Sequence, residues 1–194
     1  MKSPTPLPSQ FAAALAFLTF SAWGTAGAHE LQESRATLVQ RENTLVTMTL
    51  YLDLPQALYR SLAPQGSFVA FAVAHANLPP DVFKAVLLRA ISRLQSELRA
   101  TRPAGQALTL QRWAWPEPVR VQAALRERLM EAMVAPGEHS HIAPLEVRAE
   151  VHAAQPITAL LLEFPPAFGR VMVMSYRPKQ VWVEPLRVSP EIAF

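Results

Sequence analysis

The chain has 194 residues, a formal net charge of +3 and no cysteine, and 51% of its residues are hydrophobic. A chain of this length and apolarity can bury a core, which argues against a disordered protein. The weak positive charge argues against nucleic acid as a partner, and the absence of cysteine excludes disulfides, thiolate metal sites and a cysteine nucleophile.

Residues 1–28 have the pattern of a secretory signal peptide. Lys2 gives a positive start, residues 11–20 form a short apolar run, and Ala26-Gly27-Ala28 supplies the small residues of a cleavage site. The apolar run is too short to span a membrane comfortably. We therefore expect cleavage after Ala28 and a mature chain, residues 29–194, that forms a single globular domain without a transmembrane segment. The expected location is the periplasm or the outside of the cell.

The mature chain begins with the pattern of a β-hairpin. Residues 35–40 and 44–53 are rich in β-branched side chains, and residues 41–43 form a polar turn between them. In the second run every second residue is apolar, which predicts a strand with one face in the core. That face consists of Val46, Met48, Leu50 and Leu52.

Helical patterns dominate the middle of the chain. Proline at position 55 predicts a short helix through about residue 63. Residues 68–76 are apolar without a clear period, so helix and buried strand both remain open. Residues 79–99 predict an amphipathic helix. Its apolar stripe consists of Phe83, Leu87, Ala90, Ile91, Leu94 and Leu98.

Strand and helix patterns alternate in the second half. Residues 108–115 predict a strand, and prolines at 116 and 118 begin a helix that Pro136-Gly137 ends. The inward residues of this helix are predicted to be Val121, Leu125, Leu129, Ala132 and Met133. Four strand-like runs follow, at residues 145–152, 157–164, 170–176 and 180–184.

The order of these elements predicts the fold class. Strands, then helices, then strands about ten residues apart are typical of an α+β domain. We expect an antiparallel β-sheet or sandwich of about six or seven strands, with an insertion of two to four helices.

His29 is the first candidate metal ligand. Cleavage after Ala28 would place its imidazole and a new α-amine in one residue, and both nitrogens are good copper ligands. In this one residue the chain resembles histidine-brace copper proteins, which include copper monooxygenases that attack polysaccharides and some periplasmic copper carriers. A frayed terminus without a ligand is the alternative interpretation.

The segment Glu138-His139-Ser140-His141 is the second candidate. In an extended loop, alternation would place His139 and His141 on one side, close enough to share a zinc or copper ion. The alternative is a solvated polar loop between a helix and a strand. The hypothesis of a single copper site requires His29 to lie near this loop.

Other residues that could contribute chemistry have simpler structural interpretations. His75 lies in an apolar run and is predicted to be partly buried and hydrogen-bonded. Met172 and Met174 are predicted to be core residues of a strand, although thioethers can also bind Cu(I). Trp113 and Trp115 share one face of a predicted strand and are expected to anchor the core.

Familiar catalytic motifs are missing from the sequence. It contains no Gly-x-Ser-x-Gly elbow, no Ser-x-x-Lys and no His-Glu-x-x-His. We therefore favour an exported accessory protein over an enzyme, and we expect it to bind a protein partner in the cell envelope. In a more specific version of this hypothesis, the protein also binds a transition metal such as copper through His29, His139 and His141. The alternatives are a copper-dependent oxidoreductase and a purely structural envelope protein. In the latter, exposed edge strands near the C-terminus would pair with another chain.

Overall fold

A computed structural model describes residues 34–134, 143–178 and 185. Within these ranges the chain forms one seven-stranded sheet and four α-helices, which confirms the predicted α+β class. The elements are β1 (Ser34–Glu42), β2 (Leu45–Leu52), α1 (Leu54–Leu62), α2 (Phe68–Ala76), α3 (Pro80–Glu97), β3 (Arg99–Thr101), β4 (Ala107–Ala114), α4 (Pro118–Val134), β5 (Leu145–His152), β6 (Leu161–Glu163), a 3-10 turn (Pro166–Phe168) and β7 (Val171–Tyr176).

The strands follow the order β6-β3-β4-β5-β2-β1-β7 in a curled, mixed sheet. Every pairing between the described strands is antiparallel except β1 with β7, which is parallel. The sheet is therefore antiparallel, as predicted, at every described pair but this one. A parallel pair requires a long crossover connection, and the helices and strands between β1 and β7 provide it.

The hairpin of β1 and β2 forms as the alternating sequence predicts. Val46, Met48, Leu50 and Leu52 are all at most 4% exposed, which confirms the predicted core face. The turn lies at Asn43 and Thr44, because β1 continues through Glu42 with a register shift after Gln40. This bulge takes up residues that the sequence assigned to the turn.

The helical layer begins with two capped helices. Asp53 caps α1 by accepting a hydrogen bond from the Gln56 amide at 3.1 Å. Ser67 caps α2 in the same way, with its hydroxyl accepting from the Ala70 amide at 3.1 Å. The second cap resolves the ambiguous apolar run at 68–76, because a side-chain acceptor at this position favours helix initiation.

The longer helices confirm most of the predicted apolar stripes. Phe83, Leu87, Ala90 and Leu94 of α3 are buried, as are Val121 and Leu125 of α4. Met133 is 64% exposed, so its predicted inward position is wrong. It lies in the last turn of α4, two turns beyond Leu125, the last buried residue that this helix contributes to the core.

The C-terminal strands are confirmed in part. Strands β5 and β7 match the predicted runs, whereas the run at 157–164 forms a strand only over Leu161–Glu163. The backbone of Ala153 and Ile157 instead donates hydrogen bonds to Thr44 and Asn43 in the hairpin turn. The short β3 was not predicted, and the run at 180–184 lies outside the described residues.

The core lies between the helices and one face of the sheet. That face contributes Ala36, Met48, Leu50, Val147 and Val151, each fully buried. Among the described helices, none combines the length and apolarity that crossing a bilayer would require.

Candidate functional site

The predicted metal ligands lie outside the part of the chain that the structure describes. His29, His139 and His141 all fall in the undescribed ranges, so the copper site stays a prediction. Within residues 34–134 and 143–178, no group of three or more histidine, aspartate or glutamate side chains is placed to hold a metal ion.

Three simpler expectations can be compared with the structure. His75 is half-buried, and its Nδ1 lies 2.7 Å from the Phe71 carbonyl oxygen, which confirms the prediction. Trp113 and Trp115 stack with centroids 5.8 Å apart and pack against the core, also as predicted. Met172 is 42% exposed, so its predicted core position is wrong. The exposure arises because Met172 lies on the sheet face that the helices do not cover.

The structure brings together a different candidate, a groove of about 700 Å³ between the two ends of the curled sheet. Its floor is apolar and consists of Leu38, Val46 and Ile157, all buried. One wall is formed by residues 158–162 with Phe164, and includes part of β6. The other wall consists of Val173, Ser175 and Tyr176 of β7, with Gln40 and Arg177 at the rim.

The register of β7 explains why the groove is open. Val173 lies opposite Ala36 of β1, and paired residues share one face of a sheet. Ala36 is fully buried beneath the helices, whereas Val173 on the same face is 46% exposed. The core face of the sheet therefore continues past the helices, and the described part of the chain leaves it uncovered at β7.

Hydrogen bonds hold in place the wall that lies opposite β7, at the residues that lead into it. The Ile157 amide donates to Asn43 at 2.6 Å, and Gln40 Nε2 donates to the Ile157 carbonyl at 2.8 Å. Arg102 donates to the carbonyls of Gln155 and Pro156 at 2.7 and 2.9 Å. These bonds tie the wall to β1 and to the chain after β3, so the protein's own hydrogen bonds fix its position.

Strand β7 has an unusual sequence for a strand at the end of a sheet. Its six residues, Val171–Tyr176, carry no charge, and apolar side chains are exposed on both of its faces. Among the described strands, β7 pairs with β1 alone, so its other edge has no strand partner there. Natural edge strands are usually protected by charges, prolines or bulges, and β7 shows none of these.

The groove offers a defined set of chemical groups. The floor and walls provide aliphatic contacts, and Ser175 and Thr158 provide hydroxyl groups. Arg177 is the charged residue among the described lining residues, and its guanidinium donates to Asn43 Oδ1 at 3.3 Å. This arrangement can accommodate apolar side chains and pair with an extended backbone.

A polar cluster lies on the other, open face of the sheet. Glu150 Oε2 is 2.7 Å from His152 Nε2 and accepts from Arg112 Nη1 at 3.3 Å. The hydrogen bond with His152, followed by the nearby charge of Arg112, holds the pKa of Glu150 below its ordinary value. Arg112 reaches this carboxylate from a bulge in β4, where its φ is +52°.

The groove and the polar cluster around Glu150 differ in how clearly the sequence indicates them. Glu150 and His152 are two residues apart on a strand, so their shared face can be read from the sequence. The uncharged run of β7 was likewise visible and supports the expectation of an exposed C-terminal edge. The groove itself depends on the pairing of distant strands, which no local pattern reveals.

Comparison with known proteins gives this chain no relatives: no protein-family model, no curated protein and no solved structure matches it.

Proposed function

We propose that this protein binds an extended apolar segment of a partner protein, which adds as a strand to β7 and places its side chains in the groove. The observation that carries the proposal is the exposure of Val173 on the core face, beside the fully buried Ala36. An uncovered core face next to an unprotected strand edge is the arrangement that strand addition requires.

The backbone of β7 would provide the affinity. An added strand pairs its amide and carbonyl groups with those at the outer edge of β7, and each pairing replaces bonds to water. Because side chains alternate along a strand, every second residue of the segment would enter the groove. There they would contact Leu38, Val46 and Ile157, which form the apolar floor.

The lining would provide the specificity. Aliphatic walls favour branched apolar side chains at the alternating positions, since a charged group there would lose its hydration without a partner. Arg177 at the rim favours a carboxylate near one end of the segment. We infer a ligand with alternating apolar residues and a nearby acidic group.

The sequence supports a proposal for the place of action. We propose that the protein works as an accessory protein in the periplasm or outside the cell, on the basis of the signal-peptide pattern at residues 1–28. Its partner would then be another protein of the envelope. Copper binding through His29, His139 and His141 is a separate proposal that makes no use of the groove.

Peptide selection tests the groove. We expect selection from a phage-displayed library of random decapeptides to enrich sequences with apolar residues at every second position. A selected peptide should bind Val173→Glu at least about tenfold more weakly than the unchanged protein, because the carboxylate would enter the groove.

Met172→Glu is the matched control. Met172 is the adjacent residue of β7, is exposed to a similar extent, and lies on the opposite face beside Arg35. It should leave peptide affinity within about twofold of the unchanged value. Equal binding by the Val173→Glu and Met172→Glu proteins, or enrichment without alternation, would contradict the proposal.

A further inference from the structure

A second apolar surface lies on the helical side of the molecule, along α4. Val119, Ala123, Arg126, Met130 and Met133 are spaced at i, i+4, i+7, i+11 and i+14, so they share one face of the helix. Val119 is 69% exposed and Met130 58% exposed. The face is therefore an apolar stripe with one cation at its centre, and we call it the α4 stripe.

Helix α2 borders the α4 stripe and continues its apolar character. Gln122 Nε2 and Arg126 Nε of α4 donate to the carbonyls of Leu78 and Ala76, each at 2.9 Å, and so fix α2 alongside. The outer face of α2 exposes Val69 and Val73, and α2 carries no acidic or basic residue apart from its one histidine. Contiguous exposed apolar surface of this kind is typical of protein interfaces.

The order of residues along α4 shows what fits this surface. Three pairs of residues equidistant from the midpoint between Arg126 and Glu127 are complementary to each other. Arg126 mirrors Glu127, the small Ala123 mirrors the large Met130, and Val119 mirrors Val134. In an antiparallel pair of helices such mirrored positions lie across from each other.

We propose that two copies of this chain associate through antiparallel α4 helices, with a two-fold axis near the midpoint between Arg126 and Glu127. Each Arg126 then lies across from Glu127 of the second copy, so two equivalent ion pairs form. Met130 of each copy packs over Ala123 of the other, where the small side chain leaves room. The hydrogen bond to Ala76 uses Nε of Arg126, and the guanidinium carries further N–H donors on its terminal nitrogens for the carboxylate.

Within one helix, Arg126 and Glu127 are not placed to pair with each other. Arg126 and Glu127 are neighbours in sequence, and adjacent residues of a helix point in different directions. Their opposite charges therefore attract each other between copies, in the proposed pairing of Arg126 with Glu127 of the second copy. This surface lies on α4 rather than at β7, so the inference is independent of the proposed strand addition.

Charge reversal tests the arrangement sharply. Sedimentation equilibrium of the purified protein at about 100 µM should give twice the chain mass. Glu127→Arg and Arg126→Glu each place like charges across both pairs, so each variant alone should be a monomer. Mixed in equal amounts, the two variants should form a dimer again, because both pairs become attractive in the heterodimer.

The controls separate interface effects from folding. Lys84→Glu reverses an exposed charge on α3 and should leave the dimer intact. Arg126→Glu also removes the bond to Ala76, so thermal unfolding followed by circular dichroism must show it folded. Should it unfold, Met130→Arg takes its place and should be a monomer by loss of the Ala123 contact. A monomeric unchanged protein, or dimers that survive Glu127→Arg and Met130→Arg, would overturn the proposal.

Discussion

Glu150 is the residue whose titration the structure determines most directly. Its pKa is lowered first by the hydrogen bond with His152 and then by Arg112, so the folded state favours the ionised carboxylate. The stabilisation is present above the ordinary glutamate pKa and is lost as the pH falls through the lowered value in the folded state. Neutralising this carboxylate should therefore matter at neutral pH and not in acid.

We accordingly expect Glu150→Gln to reduce the dependence of stability on pH between about pH 5 and pH 3. Thermal melting of both proteins across this range measures the effect. The two melting temperatures should differ most near neutrality and converge in acid. A constant difference at every pH would show that the lowered pKa of Glu150 does not contribute to stability. The comparison variant is Glu146→Gln, which removes a neighbouring carboxylate on the same face of the strand.

The histidines of the predicted copper site are the other residues that deserve a direct measurement. Imidazole nitrogens bind Cu(II) tightly, and an α-amine at His29 would complete a chelate. If His139 and His141 belong to this site, replacing both by alanine should abolish stoichiometric copper binding in a calorimetric titration. His75→Ala is the control, because His75 is committed to the Phe71 carbonyl and lies in α2. Unchanged affinity in the double variant would rule out the shared site.

At the scale of elements, local periodicity decided what the sequence could predict. The face of β2 and the stripe of α3 were readable because their apolar residues follow the strand and helix periods without interruption. The apolar run of α2 has no period, and the cap at Ser67 was the signal that distinguishes helix from strand. Strands β3 and β6 are three residues each, and they form through pairing with distant segments: β3 pairs with β4 and with β6, where Arg99 lies opposite Glu163. Such pairing between distant segments has no local signature, so the groove could not be predicted.

At the scale of the whole molecule, β2 lies in the sheet between the two ends, β6 and β7, that form the walls of the groove. Its neighbours are β1, which carries β7 and the groove, and β5, which leads through β4 to the other end of the sheet. Met48 lies at the centre of β2, opposite Leu38 on one side and Ala149 on the other, and is fully buried. A cavity at this position would weaken packing on both sides at once.

We therefore expect Met48→Ala to destabilise the protein by about 2–5 kcal/mol in urea unfolding, which is the range for a buried methionine that leaves a cavity. Thr47→Ala, on the open face of the same strand, should cost less than about 1 kcal/mol. Tryptophan fluorescence reports on the surroundings of the tryptophans, among them Trp113 of β4 and the neighbouring Trp115, and far-ultraviolet circular dichroism reports on all the helices. Coincident transitions by both probes would show that the sheet and helices unfold as one cooperative unit. Separate transitions, with only one of them shifted by Met48→Ala, would mean that the helical layer is stable without the sheet. In that case the α4 stripe could dimerise whether or not the groove is folded.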